Sequence, residues 1–476
     1  MKIKFPFVIL IVLLSVKLSG QTYPALNMSM ISMLTPETDN TGFDGRKYSG
    51  CWGWYQASKG KEYAIVGTSA KTYFIEVTNP AAPVICDSVM ARRTGCTWRE
   101  MKTYQNYCYV VSDDAPPNSF QIIDMQYLPD SVHVVYDDKT YFERGHTVWV
   151  DGNKLYVGGV TYSTSAAANM NVYSLATPTA PVLLRTLSQD YPSISYVHDM
   201  FVINDTVYAS CGNQGLYVFK FNTPGNTFTQ LGSLTGYAEA GYNHSSYITP
   251  NRQTLVFCDE VPTGLSFKIA NVSNLNNITL SALAKPNNNP EFVAHNPYVV
   301  SNKYAFISCY QDGLVLYDIT NPMSPFLAGY FDTYPQGGAN AGNNYGSGSY
   351  KGNWGAYPFL PSGVIIACDM QNGVFILQTS VFAGIKEREN LLEAAVYPNP
   401  AQNMITVTFI NPAAKMYSLE IINVLGQTVH SEQNLNDCNF PVTYKKVDVT
   451  GLEAGTYLLN IKAGEKEFQK KILITN

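Results

Sequence analysis

Four histidines recur along the chain at near-constant spacing, and they have the most chemistry to offer. His146, His198, His244 and His295 are 52, 46 and 51 residues apart, each at the start of an apolar, aromatic-rich run. Neutral imidazole is the commonest transition-metal ligand and a versatile hydrogen-bond partner. A spacing near fifty is unlike the i, i+4 placement of a helical zinc motif, so these side chains meet only if the fold repeats with the same period. They would then form a ring. Asp199, Asp259 and Glu260, with Asp369 nearby, could join them around one divalent cation or polar ligand. The same imidazoles could instead tie each repeat to the next through backbone hydrogen bonds, and both readings are open on the sequence alone. No G-x-S-x-G elbow, P-loop, H-E-x-x-H or EF-hand loop is present. The adjacent pairs Asp113-Asp114, Asp137-Asp138 and Asp259-Glu260 are poor acid/base couples, because neighbours on a strand point to opposite faces.

The elements that must position these residues are short strands. Trp52, Trp98 and Trp354 extend the histidine series, with steps of 46 and 48 residues before His146 and 59 after His295. Each unit carries strands of four to seven residues rich in β-branched and aromatic side chains, bounded by Gly, Asn, Asp and Pro. Examples are Y-A-I-V-G with T-Y-F-I-E-V and Y-A-F-I-S-C with G-L-V-L-Y-D-I. No stretch shows helical periodicity. Seven such units predict an all-β array, and a period near fifty predicts propeller blades, since sandwich domains need about 100 residues each. We expect a seven-bladed β-propeller, with six or eight blades as the alternatives, followed by a small C-terminal β-sandwich. The Gly before the second strand of several pairs (Gly215, Gly264, Gly313, Gly373) suits a turn that needs positive φ.

Nine cysteines are an odd number for internal pairing. Cys211, Cys258, Cys309 and Cys368 each end an apolar strand and read as core thiols; Cys86 and Cys96 flank a polar turn and could bridge. The Gly- and Asn-rich stretch from Gln336 to Gly355 reads as a long loop able to cover one face, with Tyr345, Tyr350 and Trp354 as candidate binding residues.

Composition narrows the partners. Among 476 residues, 31 Lys+Arg against 36 Asp+Glu leave a net charge of −5, which excludes the basic footprint of nucleic-acid binding. Hydrophobic residues at 46% and 34 Tyr support a folded core with a hydroxyl-rich surface. Lys2 and Lys4, an apolar run from Phe5 to Val16, and Ser19-Gly20 follow the order of a secretory signal peptide, residues 1–20. That run is too short to span a membrane, which takes about 20 residues. No Cys stands at the cleavage point, so we expect an exported soluble protein.

Several phrases resemble the LVIVD-repeat propellers, and more closely the choice-of-anchor B proteins. They are G-L-V-L-Y-D-I-T-N-P (Gly313 to Pro322), V-H-D-M-F-V (Val197 to Val202), A-G-Y-F-D-T-Y-P (Ala328 to Pro335) and W-G-A-Y-P-F-L-P-S-G (Trp354 to Gly363). This likeness spans about residues 40 to 380 and implies the fold more than an activity. We place the propeller at 21–380 and a charged linker, including Lys386-Glu387-Arg388-Glu389, at 381–393.

From residue 394 to 476 the text changes to V-Y-P-N-P, I-I-N-V-L-G-Q-T-V and L-E-A-G-T-Y-L-L-N-I-K. Tight turns at Leu425-Gly426 and Ala454-Gly455 suit a sandwich of alternating strands. The module closely resembles the type A C-terminal sorting domain of the type IX secretion system of Bacteroidetes, carried by Tyr397, Pro398, Asn399, Pro400, Gly426, Gly455 and Tyr457. The resemblance implies the type IX machinery as a partner and passage across the outer membrane to the cell surface or medium. It also implies loss of the tail, with attachment to lipopolysaccharide as one fate. The propeller itself is expected to be a non-catalytic binding module for a glycan or protein; the alternative is a surface hydrolase or lyase using the His and carboxylate cluster with a divalent metal.

Overall fold

A computed structural model describes residues 22–337, 350–381, 392, 394–410, 416–435, 442–464 and 466–475. The proposed signal peptide, most of the charged linker and Tyr345 lie outside the described residues. The chain divides into two compact units, 1–379 and 380–476.

The first unit contains seven antiparallel sheets, six built on a four-stranded up-and-down meander and one on a three-stranded meander. These sheets are blades 1 to 7. Their first strands are Tyr48–Gln56, Glu100–Tyr104, Thr147–Asp151, Asp199–Ile203, Asn243–Ile248, Asn296–Val299 and Asn353–Tyr357. The first strands of successive blades touch one another, and that of blade 7 touches that of blade 1, so the seven close into a ring around a central channel. This is the seven-bladed propeller the repeat predicts. Blade 7 is completed from the other end of the chain. Met28–Leu34 pairs with Gly373–Thr379 as its outermost strand, and Ala25–Leu26 adds a fifth strand to blade 6.

The hydrophobic cores lie between blades rather than within them. Ala64, Val66 and Ile75 of blade 1 pack with Ile366, Cys368 and Val374 of blade 7, and Val256 and Ile269 of blade 5 with Ile307 and Val315 of blade 6. A blade therefore cannot bury its faces alone, and each fully buried Ile, Val or Phe contributes roughly 1.5–3 kcal/mol only once its neighbour is in place. Cys211, Cys258, Cys309 and Cys368 are buried free thiols; Cys86 and Cys96 are also free and do not bridge. Gly313 shows why the turns need glycine. Its φ is +74° and a Cβ there would lie 2.3 Å from the Phe331 carbonyl oxygen.

The second unit is two sheets, one of three strands and one of four, enclosing a core that includes Ile405, Val407, Leu419, Ile421, Leu459 and Ile461. Asn399 pins the start of this module to its last strand, donating to the Lys471 carbonyl at 3.0 Å and accepting from the Leu473 amide at 2.8 Å. Gly426 takes φ +81° in the turn closed by Asn423, whereas Gly455 opens a strand rather than sitting in a turn. The Tyr457 hydroxyl donates to the Glu453 carbonyl at 2.8 Å.

Candidate functional site

The four histidines meet. Each sits at the mouth end of its blade's first strand, where its amide, or that of its neighbour, pairs with the second strand. His146, His198, His244, His295 and Trp354 follow one another around the channel with ring centroids 4.1, 4.2, 4.2 and 4.2 Å apart. Their interplanar angles, 54, 49, 47 and 48°, are close to one seventh of a turn, as a ring with one member per blade requires. Trp98, just before the first strand of blade 2, stacks on Trp354 at 4.6 Å.

These imidazoles both fasten the blades and face the channel. His198 donates from Nδ1 to the His244 carbonyl at 3.1 Å, and His295 from Nδ1 to the Trp354 carbonyl at 2.6 Å. A carbonyl only accepts, so Nδ1 carries the proton and Nε2 is left as a lone pair. Burial holds the protonated form down, the main reason that His198 and His244 titrate well below the usual range; the neighbouring imidazoles add to it. His295, lowered mainly by burial, falls to about 3 despite its carbonyl partner. His146 differs. Burial opposes its charge, but the Asp113 carboxylate 2.5 Å from its Nδ1, helped by Asp199 and Glu100, outweighs that and raises its pKa.

Glu260 is the carboxylate that joins the ring. It is buried, which raises its pKa, and its Oε1 accepts from the Tyr310 hydroxyl at 2.6 Å while Oε2 lies 3.7 Å from Nε2 of His244. Donor atoms of His244, Glu260 and His295 fall within 4.8 Å of one another. Asp259, grouped with Glu260 on the sequence, points the other way. It is fully buried against Lys268, Nζ to Oδ2 2.8 Å, and accepts from Tyr237 and Asn243. Asp369 is likewise removed from the ring, held by Thr333 and the amides of Gln371 and Asn372. Asp199 lines the channel deeper in, bonded to Thr147 at 2.9 Å, with its pKa raised by burial to about 6.

Two spaces meet at the ring. The outer one, about 540 Å³ and open to solvent, is a cup walled by Trp98, Tyr242, Glu260, Tyr350 and Trp354 over the imidazoles. Trp354 belongs to the first strand of blade 7, not to the loop before it, while Tyr350 does reach the cup. The inner space is narrow and leads to a second ring that sequence reading missed. Trp52, Trp149, Phe201, Tyr247 and Tyr357 form it, with contacts such as Trp149–Phe201 at 4.7 Å and Phe201–Tyr247 at 4.3 Å. The signal was legible: an aromatic stands three residues after each of His146, His198, His244, His295 and Trp354. Blade 2 departs from it with Lys102, whose ammonium sits 4.2 Å from the Trp52 ring and 3.8 Å from Glu100. Arg99 holds the histidine position by that spacing, but its guanidinium turns away to the Thr68 carbonyl at 3.1 Å.

Residues 298–333, within blade 6 and the turn after it, match the LVIVD repeat, and residues 395–475 match the secretion system C-terminal sorting domain. Among solved structures, a protein from Lactobacillus plantarum aligns with 12% identity over 84% of this chain and 99% of its own, at TM-score 0.48. A protein from Bacteroides uniformis ATCC 8492, described as a candidate 6-phosphogluconolactonase, aligns with 12% identity over 84% of this chain and 100% of its own, at TM-score 0.45. No curated protein matches the chain. The chain thus joins a propeller that carries an LVIVD repeat to a type IX sorting domain, which indicates export across the outer membrane to the cell surface or the medium.

Proposed function

We propose that the propeller is a non-catalytic capture module displayed outside the cell, with its ligand seated in the cup at the channel mouth. The observation that carries this reading is the convergence of neutral imidazoles under aromatic walls. His198 and His295 have spent their N–H on carbonyls, so they offer acceptors to an incoming hydroxyl or ammonium. Trp98, Tyr242, Tyr350 and Trp354 offer flat, partly polar surfaces above them. Hydroxyl-rich molecules with one apolar face, such as the end of a glycan chain, suit that combination. The likeness to choice-of-anchor B proteins fits a surface role, and attachment of the mature protein to lipopolysaccharide through the sorting route is part of the same reading. A hydrolase or lyase is the second reading, favoured by the grouping of His244, Glu260 and His295.

Glycan arrays probed with the exported protein test the proposal, with Tyr350→Ala and Tyr242→Ala as controls. Binding that drops at least tenfold in both variants, with no change in the glycan recovered, supports capture in the cup. Retained affinity in both variants, or a glycan released in shortened form, refutes it.

A further inference from the structure

We infer that the ring holds one divalent transition-metal ion, bound by Nε2 of His244, Nε2 of His295 and Oε2 of Glu260, with a coordination position left for a ligand from the cup. The inference deepens the capture reading and rests on the cup being the working face. Three observations lead to it. Nε2 of His295 is buried with no hydrogen-bond partner, a state native structures rarely leave unexplained. The gap of 3.7 Å between Nε2 of His244 and Oε2 of Glu260 is too long for a hydrogen bond and close to the separation of two ligands on one ion, whose bonds are each about 2.0–2.2 Å. The donor atoms of all three residues already lie within 4.8 Å of one another.

The partners of those ligands are arranged as a metal site needs. The Trp354 carbonyl takes the Nδ1 proton of His295, which fixes the tautomer and turns the lone pair of Nε2 inward. Nδ1 of His244 is buried with no hydrogen-bond partner of its own, and the His295 carbonyl that neighbours it is taken by the Ser245 hydroxyl. Tyr310 holds Oε1 of Glu260, leaving Oε2 for the ion. Two neutral imidazoles and one carboxylate select zinc or a similar ion. Calcium and magnesium prefer sites made of oxygen. Three protein donors leave zinc short of its usual four, so a water or a ligand hydroxyl completes the set.

The test uses the exported protein without a His tag, stripped with chelator and titrated with Zn²⁺, and with Co²⁺ as a visible-absorption probe. The expected result is one equivalent bound, with d–d bands of a four- or five-coordinate cobalt centre. Glu260→Gln should weaken uptake by a hundredfold or more, and Tyr310→Phe by about 10–100-fold. Both replacements keep the side-chain shape, so unchanged circular dichroism and thermal midpoint can be required of them. No uptake by the wild type, or uptake indifferent to Glu260→Gln, overturns the inference. Repeating the array with stripped and loaded protein separates the two claims. Capture without metal uptake removes the ion and leaves the cup, whereas uptake without capture removes the capture reading alone.

Discussion

Lys268→Met tests whether Asp259 belongs to the fold or to the site. Both side chains of this pair are fully buried, with Nζ 2.8 Å from Oδ2. Asp259 keeps other donors, the Tyr237 hydroxyl at 2.9 Å and the Asn243 amide at 3.2 Å, but Lys268 is its only cation within bonding distance among the described residues. Methionine preserves the stem and removes the charge, so the loss should come from an unpaired buried carboxylate, about 3–5 kcal/mol. Asp259→Asn should cost about as much by stranding the ammonium, and the double variant should recover a large part, giving a coupling above ~2 kcal/mol. The assay is equilibrium urea unfolding followed by tryptophan fluorescence. All five tryptophans lie in the propeller, so the signal is blind to the sorting domain and one transition can be fitted. Single variants within about 1 kcal/mol of wild type, or additive losses in the double variant, would refute the reasoning.

Three further outcomes follow from the same structure. Asp332 is buried near Asp312 and Asp369; burial first, then those charges, lift its pKa to about 7. The fold therefore holds a proton that the unfolded chain releases near 3.8, so its stabilisation is complete below that pH and lost as pH rises to about 7. Asp332→Asn should gain at most about 4 kcal/mol at pH 8 and little at pH 4, at ~1.4 kcal/mol per tenfold; equal gains at both pH values by urea unfolding would contradict this. Gly313→Ala, with a Cβ forced to 2.3 Å from the Phe331 carbonyl at φ +74°, should cost about 1–3 kcal/mol or more, and a thermal midpoint equal to wild type would count against it. Deleting 394–476 should leave the propeller in the periplasm, as read by cell fractionation and blotting; undiminished appearance in the medium would argue for another route.

The blade count was legible because each unit carries two apolar strands and a marker near the channel, and four of the seven add a glycine at the turn between the strands. What the pattern could not tell is where neighbouring side chains go. Asp259 and Glu260 are adjacent at the end of one strand, and the alternation that sends one to the cup sends the other to Lys268. The strand Met28–Leu34 was invisible as part of blade 7 because its partner lies at the far end of the propeller sequence, and no local signal marks that pairing. Trp354 was read both as the last marker of the series and as part of the Gly- and Asn-rich loop, and it is the marker reading that holds, since it continues the ring begun by His295. Lys102 was overlooked since it stands where the other blades place an aromatic, so only the spacing betrays it.

The central claim is that the cup over the imidazole ring is where the exported propeller takes its ligand. A crystal structure of the protein with the best array hit tests it most directly. The account predicts density in the cup, stacked on an aromatic wall and within hydrogen-bonding distance of the ring nitrogens or of an ion held by them. Ligand bound on the outer strands of the blades or on the sorting domain, with the cup empty, would contradict it.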